Sequence, residues 1–306
     1  MTETTLAYAA ERDRQAPTAH PRVSAAFADH VEHPAANARP KRAPDFRPSG
    51  RLIPARLTPL SLLAGPAVVV LAWQAASTLG WLSPRLLASP WTAMETGADM
   101  LRDGSLQDHL LASALRAYSG LLLGILFGVL LAIVAGLTRW GEAAFDSLVQ
   151  IKRAIPTLAL IPLAILWLGI GDSMKIALIS VSVMVPVYIN THAGLRGIDM
   201  RYVELAQTVG LSRAEFIRRV ALPGALPGFF TGLRLAVTMC WTSLVVLEQI
   251  NTTEGIGYVM SRARDLGQTE VIVVGLVFYA LLGLVSDALV RAWEGRTLAY
   301  RKVIGS

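Results

Sequence analysis

The sequence predicts an all-α polytopic membrane protein with six transmembrane helices, and three observations predict it. Of 306 residues, 53% are hydrophobic and only 16% charged, a balance that ordinary soluble domains do not show. Runs free of Asp, Glu, Lys and Arg occupy 57–84, 117–138, 154–171, 176–195, 235–247 and 271–286. Most of these approach or exceed the roughly 20 residues that a helix rising about 1.5 Å per residue needs to cross the hydrocarbon. Apolar residues fill the runs without the alternation of barrel strands, so backbone groups that must satisfy themselves in lipid imply helices.

Residues 1–56 are rich in Ala, Pro, Arg and His and lack a continuous apolar core, which excludes a secretory signal peptide and predicts a disordered cytoplasmic tail. His20, His30 and His33 are scattered through it and read as solvated side chains, not a metal site. The membrane region is expected over 57–295, with a connector at 195–227, and a cytoplasmic C-terminal tail over 296–306. After the first span, Ser89-Pro90 supplies an N-cap with proline at the first helical position, and Gly104 stops a short external helix. Ser105 is expected to cap again, with Asp108 three residues on, before the second span begins near His109. Gly120, Gly124, Gly128, Ala132 and Gly136 form a small-residue stripe on that span, and Gly228, Gly232 and Ala236 repeat the device in the fifth. Such stripes admit a neighbouring helix closely, either within the chain or at a subunit seam. Pro156 and Pro162 in the third span and Pro186 in the fourth predict kinks. The fifth run is short, but suffices if it starts near Phe229 and Arg234 snorkels toward the headgroups.

Lys41, Arg42, Arg47, Arg51 and Arg56 precede the first span; Arg139, Lys152 and Arg153 follow the second. The connector carries Arg196, Arg201, Arg213, Arg218 and Arg219, and the C-terminus Arg291, Arg296, Arg301 and Lys302. Six spans put all four groups on one side, so positive-inside bias predicts cytoplasmic termini and a cytoplasmic connector. Topology and anionic lipid then account for the pI of 9.8, with no call for nucleic acid. The single Cys240 excludes an intrachain disulfide or a multi-cysteine zinc site and reads as a small packing residue.

The connector is written as helix, break, helix. Asp199 caps a first helix, Gly210 suits a left-handed C-cap, and Ser212 with Glu215 forms a capping-box pair opening a second helix. Pro223 and Pro227 are expected to end that helix before the fifth span. Val203, Ala206, Val209, Phe216, Val220 and Leu222 give the pair an apolar face, with arginines elsewhere.

Glu204-Leu205-Ala206, Gly210 and Val220-Ala221-Leu222-Pro223 resemble, with spacing kept, the Glu-Ala-Ala loop of bacterial ATP-binding cassette (ABC) importer permeases. Leu205 and Val220 are apolar departures from that motif. The likeness covers most of 83–295, including Leu86-Leu87-Ala88-Ser89-Pro90, Arg153-Ala154-Ile155-Pro156, Leu166-Trp167-Leu168-Gly169-Ile170-Gly171, Ala225-Leu226-Pro227 and Gly232-Leu233-Arg234. These phrases resemble the nitrate, sulfonate and taurine branch. The resemblance implies a type I importer permease fold whose connector forms a coupling helix docked in a groove of a separate ATPase. Coupling is then assigned to Glu204, Leu205, Ala206, Gly210, Ser212, Glu215, Val220, Leu222 and Pro223. It further implies a homodimeric permease in the bacterial inner membrane, served by two ATPase subunits and a periplasmic or lipid-anchored substrate-binding protein.

No lysine among Lys41, Lys152, Lys175 and Lys302 sits in a phosphate-cradling glycine loop, so ATP is expected on the partner subunit, and no cofactor or catalytic residue is assigned to this chain. Glu248, Arg234 and Asp287 are candidates for the pathway, because charge in a span is expensive; hydration near an interface and structural pairing are the competing explanations. Arg116 and His192 are further residues whose charge would attract an anion. An intramembrane enzyme is disfavoured by the lack of a His-Glu-x-x-His motif, and an ion-coupled carrier by the lack of an internal repeat. Nitrate, an alkanesulfonate, taurine or an unrelated small solute such as a vitamin precursor all remain compatible as cargo.

Overall fold

The computed structural model describes residues 59–250 and 252–299; the expected tail over 1–56 lies outside them. Among the described residues the secondary structure is helical throughout. Helix α1 spans Pro59–Thr78, α2 Pro90–Arg102, α3 Ser105–Leu137 and α4 Arg139–Ala154. A 3-10 turn at Thr157–Leu160 leads into α5, Ile161–Leu168, and α6 is Asp172–Arg196. The connector holds α7, Met200–Thr208, and α8, Arg213–Phe216, which passes through a π-helical turn, Ile217–Ala221, into α9, Leu222–Glu248. Helices α10, Ile256–Leu266, and α11, Thr269–Thr297, complete the fold.

Among the described residues four helices are long and apolar enough to cross a membrane: α3, α6, the continuous Arg213–Glu248 helix and α11. A fifth is reached if α4 and Thr157–Leu168, bent by 94°, form one broken span. The expected third span is thus the least regular. Its break falls at Pro156, where the lost N–H and restricted preceding residue stop α4. The other prolines do not break their helices. Pro162 sits in the first turn of α5, where a missing N–H costs nothing, and α6 runs on through Pro186. Helix α1, whose twenty residues carry no charge, lies within the first expected span and is not one of these four.

Helix α6 is the spine, packed along α3 on one side and α9 on the other. The small-residue stripe decides that arrangement. A Cβ at Gly124 would stand 2.6 Å from the Val183 side chain and 2.7 Å from the Ser180 carbonyl. On the opposite side of α6, one at Gly228 would run into the Asn190 carbonyl. Both stripes therefore serve packing within the chain, which supplies the close contacts that bundles in lipid rely on. Phe230, Leu233, Ala236, Val237 and Leu244 of α9 meet Ile179, Val183 and Val187 of α6 in the main core.

The start of α3 differs from expectation. The helix begins at Ser105, ahead of His109, and its N-cap is Gly104 with φ of 83°. The Asp103 carboxylate, not Ser105, does the capping: it accepts from the Ser105 N–H at 2.9 Å and hydroxyl at 2.7 Å. Those two bonds hold the Asp103 carboxyl below the usual carboxylate range.

Candidate functional site: the connector and the charges of the spans

The connector is built by caps. Asp199 accepts from the Arg201 N–H to open α7. At the other end, Gly210 takes φ of +75°, a left-handed conformation that side chains disfavour. Its N–H meets the Gln207 carbonyl at 3.1 Å, and the Leu211 N–H meets the Ala206 carbonyl at 2.9 Å, the paired bonds of a Schellman motif. Ser212 and Glu215 then form the reciprocal capping box that starts α8.

Pro223 and Pro227 do not end the second helix, contrary to expectation: it continues unbroken to Glu248. In a regular α-helix the Pro223 ring would press on the Arg219 carbonyl. The wider π turn just before it relieves that clash, the Leu222 N–H reaching the Ile217 carbonyl five residues back. Sequence reasoning missed this joint, because a proline near a helix start and a proline ending a helix look alike.

Two halves of the connector face different surroundings. Ala221 and Ala225 pack with Leu195, flanked by Ile133, Ile198 and Phe216, and the Arg213 guanidinium donates to the Leu137 carbonyl at 3.0 Å, capping α3. Arg196 bonds to Glu142 of α4. Helix α7 instead stands outward. Ala206 is buried, but Leu205 and Val209 are 59% and 67% exposed, with Met200 and Tyr202 also exposed. Glu204 lies exposed among them. The apolar face expected of the connector is therefore divided: Phe216 turns toward the bundle, while Val209 turns away from it. Of the expected coupling residues, Val220 and Pro223 border a groove with Asp199, Tyr202 and Arg219, and Leu222 lines an apolar cleft between α3 and α9.

The charged span residues form two unlike groups. Arg234 of α9 approaches Asp287 at 3.7 Å and Glu294 at 3.6 Å on α11, while Arg291 pairs with Asp287 at 3.0 Å. These side chains keep substantial exposure; Arg234 retains 45%. Glu248, at the far end of α9 from the connector, is 1% exposed, so hydration does not account for it. Its Oε1 accepts from Arg116 Nη1 at 2.9 Å, and its Oε2 from Ser113 Oγ at 2.7 Å, the Gly257 N–H at 3.0 Å and Tyr279 Oη at 2.8 Å. Arg116 also donates through Nε to Asp172 at 2.6 Å and through Nη1 to the Glu254 carbonyl at 2.8 Å. Lys175 lies 3.8 Å from Asp172. Arg116 is thus committed to carboxylates, and His192 stacks on Tyr188 with rings 5.5 Å apart. Ser113, Tyr279, Gly255 and Gly257 escaped sequence reading; the available signal was that a carboxylate in an apolar run demands donors.

A profile of the family described as binding-protein-dependent transport system inner membrane component matches residues 124–298. A protein described as an aliphatic sulfonates transport permease, SsuC, of Escherichia coli (strain K12) is 43% identical over 77% of this chain and 91% of its own length. Its counterpart of Bacillus subtilis (strain 168) is 37% identical over 77% of this chain and 86% of its own. The taurine transport system permease protein TauC of Escherichia coli (strain K12) is 33% identical over 75% and 86%. Among solved structures, a chain of an amino acid ABC transporter crystallised with histidines superposes with a TM-score of 0.53 at 18% identity, covering 65% of this chain and 97% of that one.

Proposed function

The chain belongs to the binding-protein-dependent transport system inner membrane components and is a permease subunit of an ABC importer; from that premise we propose that its cargo is a small organosulfonate. The observation carrying this reading is the 43% identity to an aliphatic sulfonates permease across 77% of the chain. Taurine, an aminosulfonate, is a second cargo of the same chemistry, favoured by the 33% identity to a taurine permease. The membership implies ATPase and substrate-binding partners. We assign the ATPase contact to α7, where Leu205 and Val209 expose apolar surface beside Glu204, a composition suited to a protein groove and unsuited to open water. Ala206, Gly210, Ser212 and Glu215 shape that helix pair, and Val220, Leu222 and Pro223 join it to the span. In this reading the subunit moves solute and catalyses nothing, the hydrolysis belonging to its partner. Two copies face each other in a bacterial inner membrane, with the termini and connector in the cytoplasm. Arg234 and Asp287, being partly exposed, are better placed for the pathway than Glu248.

Uptake decides the cargo. Cells deprived of their own sulfonate importers and supplied with this permease, its ATPase and its binding protein should grow on ethanesulfonate or taurine as sole sulfur source. Growth on neither, with uptake of nitrate or of an unrelated solute instead, would overturn the assignment.

A further inference from the structure

We infer that Glu248 is a positioning residue: it fuses the ends of α3, α6, α9, α10 and α11 remote from the connector into one block, about which α9 and α11 pivot at their other ends. This rests on the chain being an ATP-driven permease and is independent of its cargo.

Five donor contacts converge on this one dry carboxylate, counting both bonds from Ser113. They arrive from α3, from α11 and from the start of α10. Ser113 passes the connection on by accepting from the Ile256 N–H at 2.9 Å, and His109 Nδ1 accepts from the Gly255 N–H at 3.2 Å. Through Arg116 and Asp172 the same network reaches the first turn of α6. The backbone is shaped around the carboxylate: a Cβ at Gly255, where φ is +113°, would lie 2.5 Å from Glu248 Oε1, and one at Gly257 would lie 2.6 Å from Glu248 Cβ. Separating any wall of this cradle would leave a buried charge without its donors, which is far costlier than parting a hydrated pair.

The contrast within the same helix pair gives the direction of movement. At Glu248, α9 is bonded to α11 by a buried 2.8 Å contact from Tyr279. Toward the connector, the same two helices meet through Arg234 with Asp287 and Glu294, at 3.6–3.7 Å and with partial exposure. Water can replace those partners at little cost. The pair is therefore pinned at one end and releasable at the other, so force arriving through the connector opens it as a wedge.

The test uses the complete transporter with its ATPase in lipid nanodiscs, in two double variants that act as their own controls. One is His109→Cys with Tyr258→Cys, where the native rings are 5.9 Å apart across α3 and α10; the other is Phe229→Cys with Trp293→Cys, where the native rings are 6.2 Å apart across α9 and α11 toward the connector. Each is bridged with a short bis-methanethiosulfonate, assayed for ATP hydrolysis, then reduced and assayed again. The expected result is that the first bridge leaves more than half of the turnover and the second lowers it at least tenfold, reversibly. A first bridge that stops turnover, or a second that is tolerated, overturns the proposal. Hydrogen exchange on the unmodified complex provides a check needing no variant. The amides of Gly255, Ile256 and Gly257 should be equally protected in the resting and vanadate-trapped states. A tenfold rise in their exchange on trapping would show that the cradle opens.

Discussion

At the scale of single residues, caps and buried polar atoms carry the consequences. Gly210→Ala forces a side chain into the left-handed region at φ +75°, a cost of roughly 1–2 kcal/mol. Because the strain falls where α7 is set relative to α8, recovery of the ATPase in a pull-down should fall further than thermal stability does. Ser212→Ala removes only the hydroxyl that caps the Glu215 N–H, costing about 1 kcal/mol, and should give the milder loss in the same assay. Asp103 gives a pH dependence with a definite sign. Its carboxyl is depressed by the Ser105 backbone and hydroxyl bonds, so its contribution is present above the unfolded carboxylate value of about 4 and is lost as pH falls through the lower folded value. Asp103→Asn should therefore lower stability at neutral pH and flatten the acid limb of the profile, the two proteins converging once pH falls below the folded value. Gly210, Ser212 and Glu215 were legible in the sequence because a cap is local, set by residues within one turn. Glu248 was legible only as an anomaly. Its donors Ser113 and Tyr279 lie 135 and 31 positions away, and no local pattern encodes such a meeting.

At the scale of elements, the sequence identifies the helices well and their joints poorly. The stripe from Gly120 to Gly136 announces a close helix contact, yet its partner emerges only once Ile179, Val183 and Leu195 of α6 are seen against it. Gly124→Ala should overpack that contact by about 1–3 kcal/mol, read as a lowered melting temperature of the detergent-solubilised chain, since the Ser180 backbone cannot yield as a side-chain tip would. The π turn is the contrary case. An extra residue shifts the apolar pattern by about 100°, but only the four residues Arg213–Phe216 precede the turn, too short a run for periodicity to reveal the shift. Pro223 provides the physical reason for the wider turn, and Pro223→Ala removes that reason. The expected outcome is a stiffer, regular helix through 217–223 with α7 still folded. Slower amide exchange over 217–222, together with weaker coupling of ATP hydrolysis to uptake, is the measurement that checks it.

At the scale of the whole molecule, fold and topology depend on different evidence. The all-helical bundle follows from length and apolarity, which is why α3, α6, α9 and α11 fall where charge-free runs predicted them. The third span diverges because composition cannot express a 94° bend. Orientation rests on charge bias, and it has a direct consequence for α7. If α7 meets an ATPase, it must lie in the cytoplasm together with Arg139, Lys152 and Arg153, while α2 and α10 lie on the opposite side. Gln207→Cys, on the exposed surface of α7, and Arg262→Cys, on α10, place one reporter at each end. In right-side-out vesicles an impermeant maleimide should modify the Arg262 position and spare the Gln207 position; in inverted vesicles the pattern should reverse. Cys240 will not confuse the result, since it is 1% exposed with its thiol against the Ala117 carbonyl. Binding of the ATPase should then shield the Gln207 position in inverted vesicles without affecting the Arg262 position. Labelling of Gln207→Cys from outside would separate α7 from any cytoplasmic motor and remove the basis for assigning it the coupling contact.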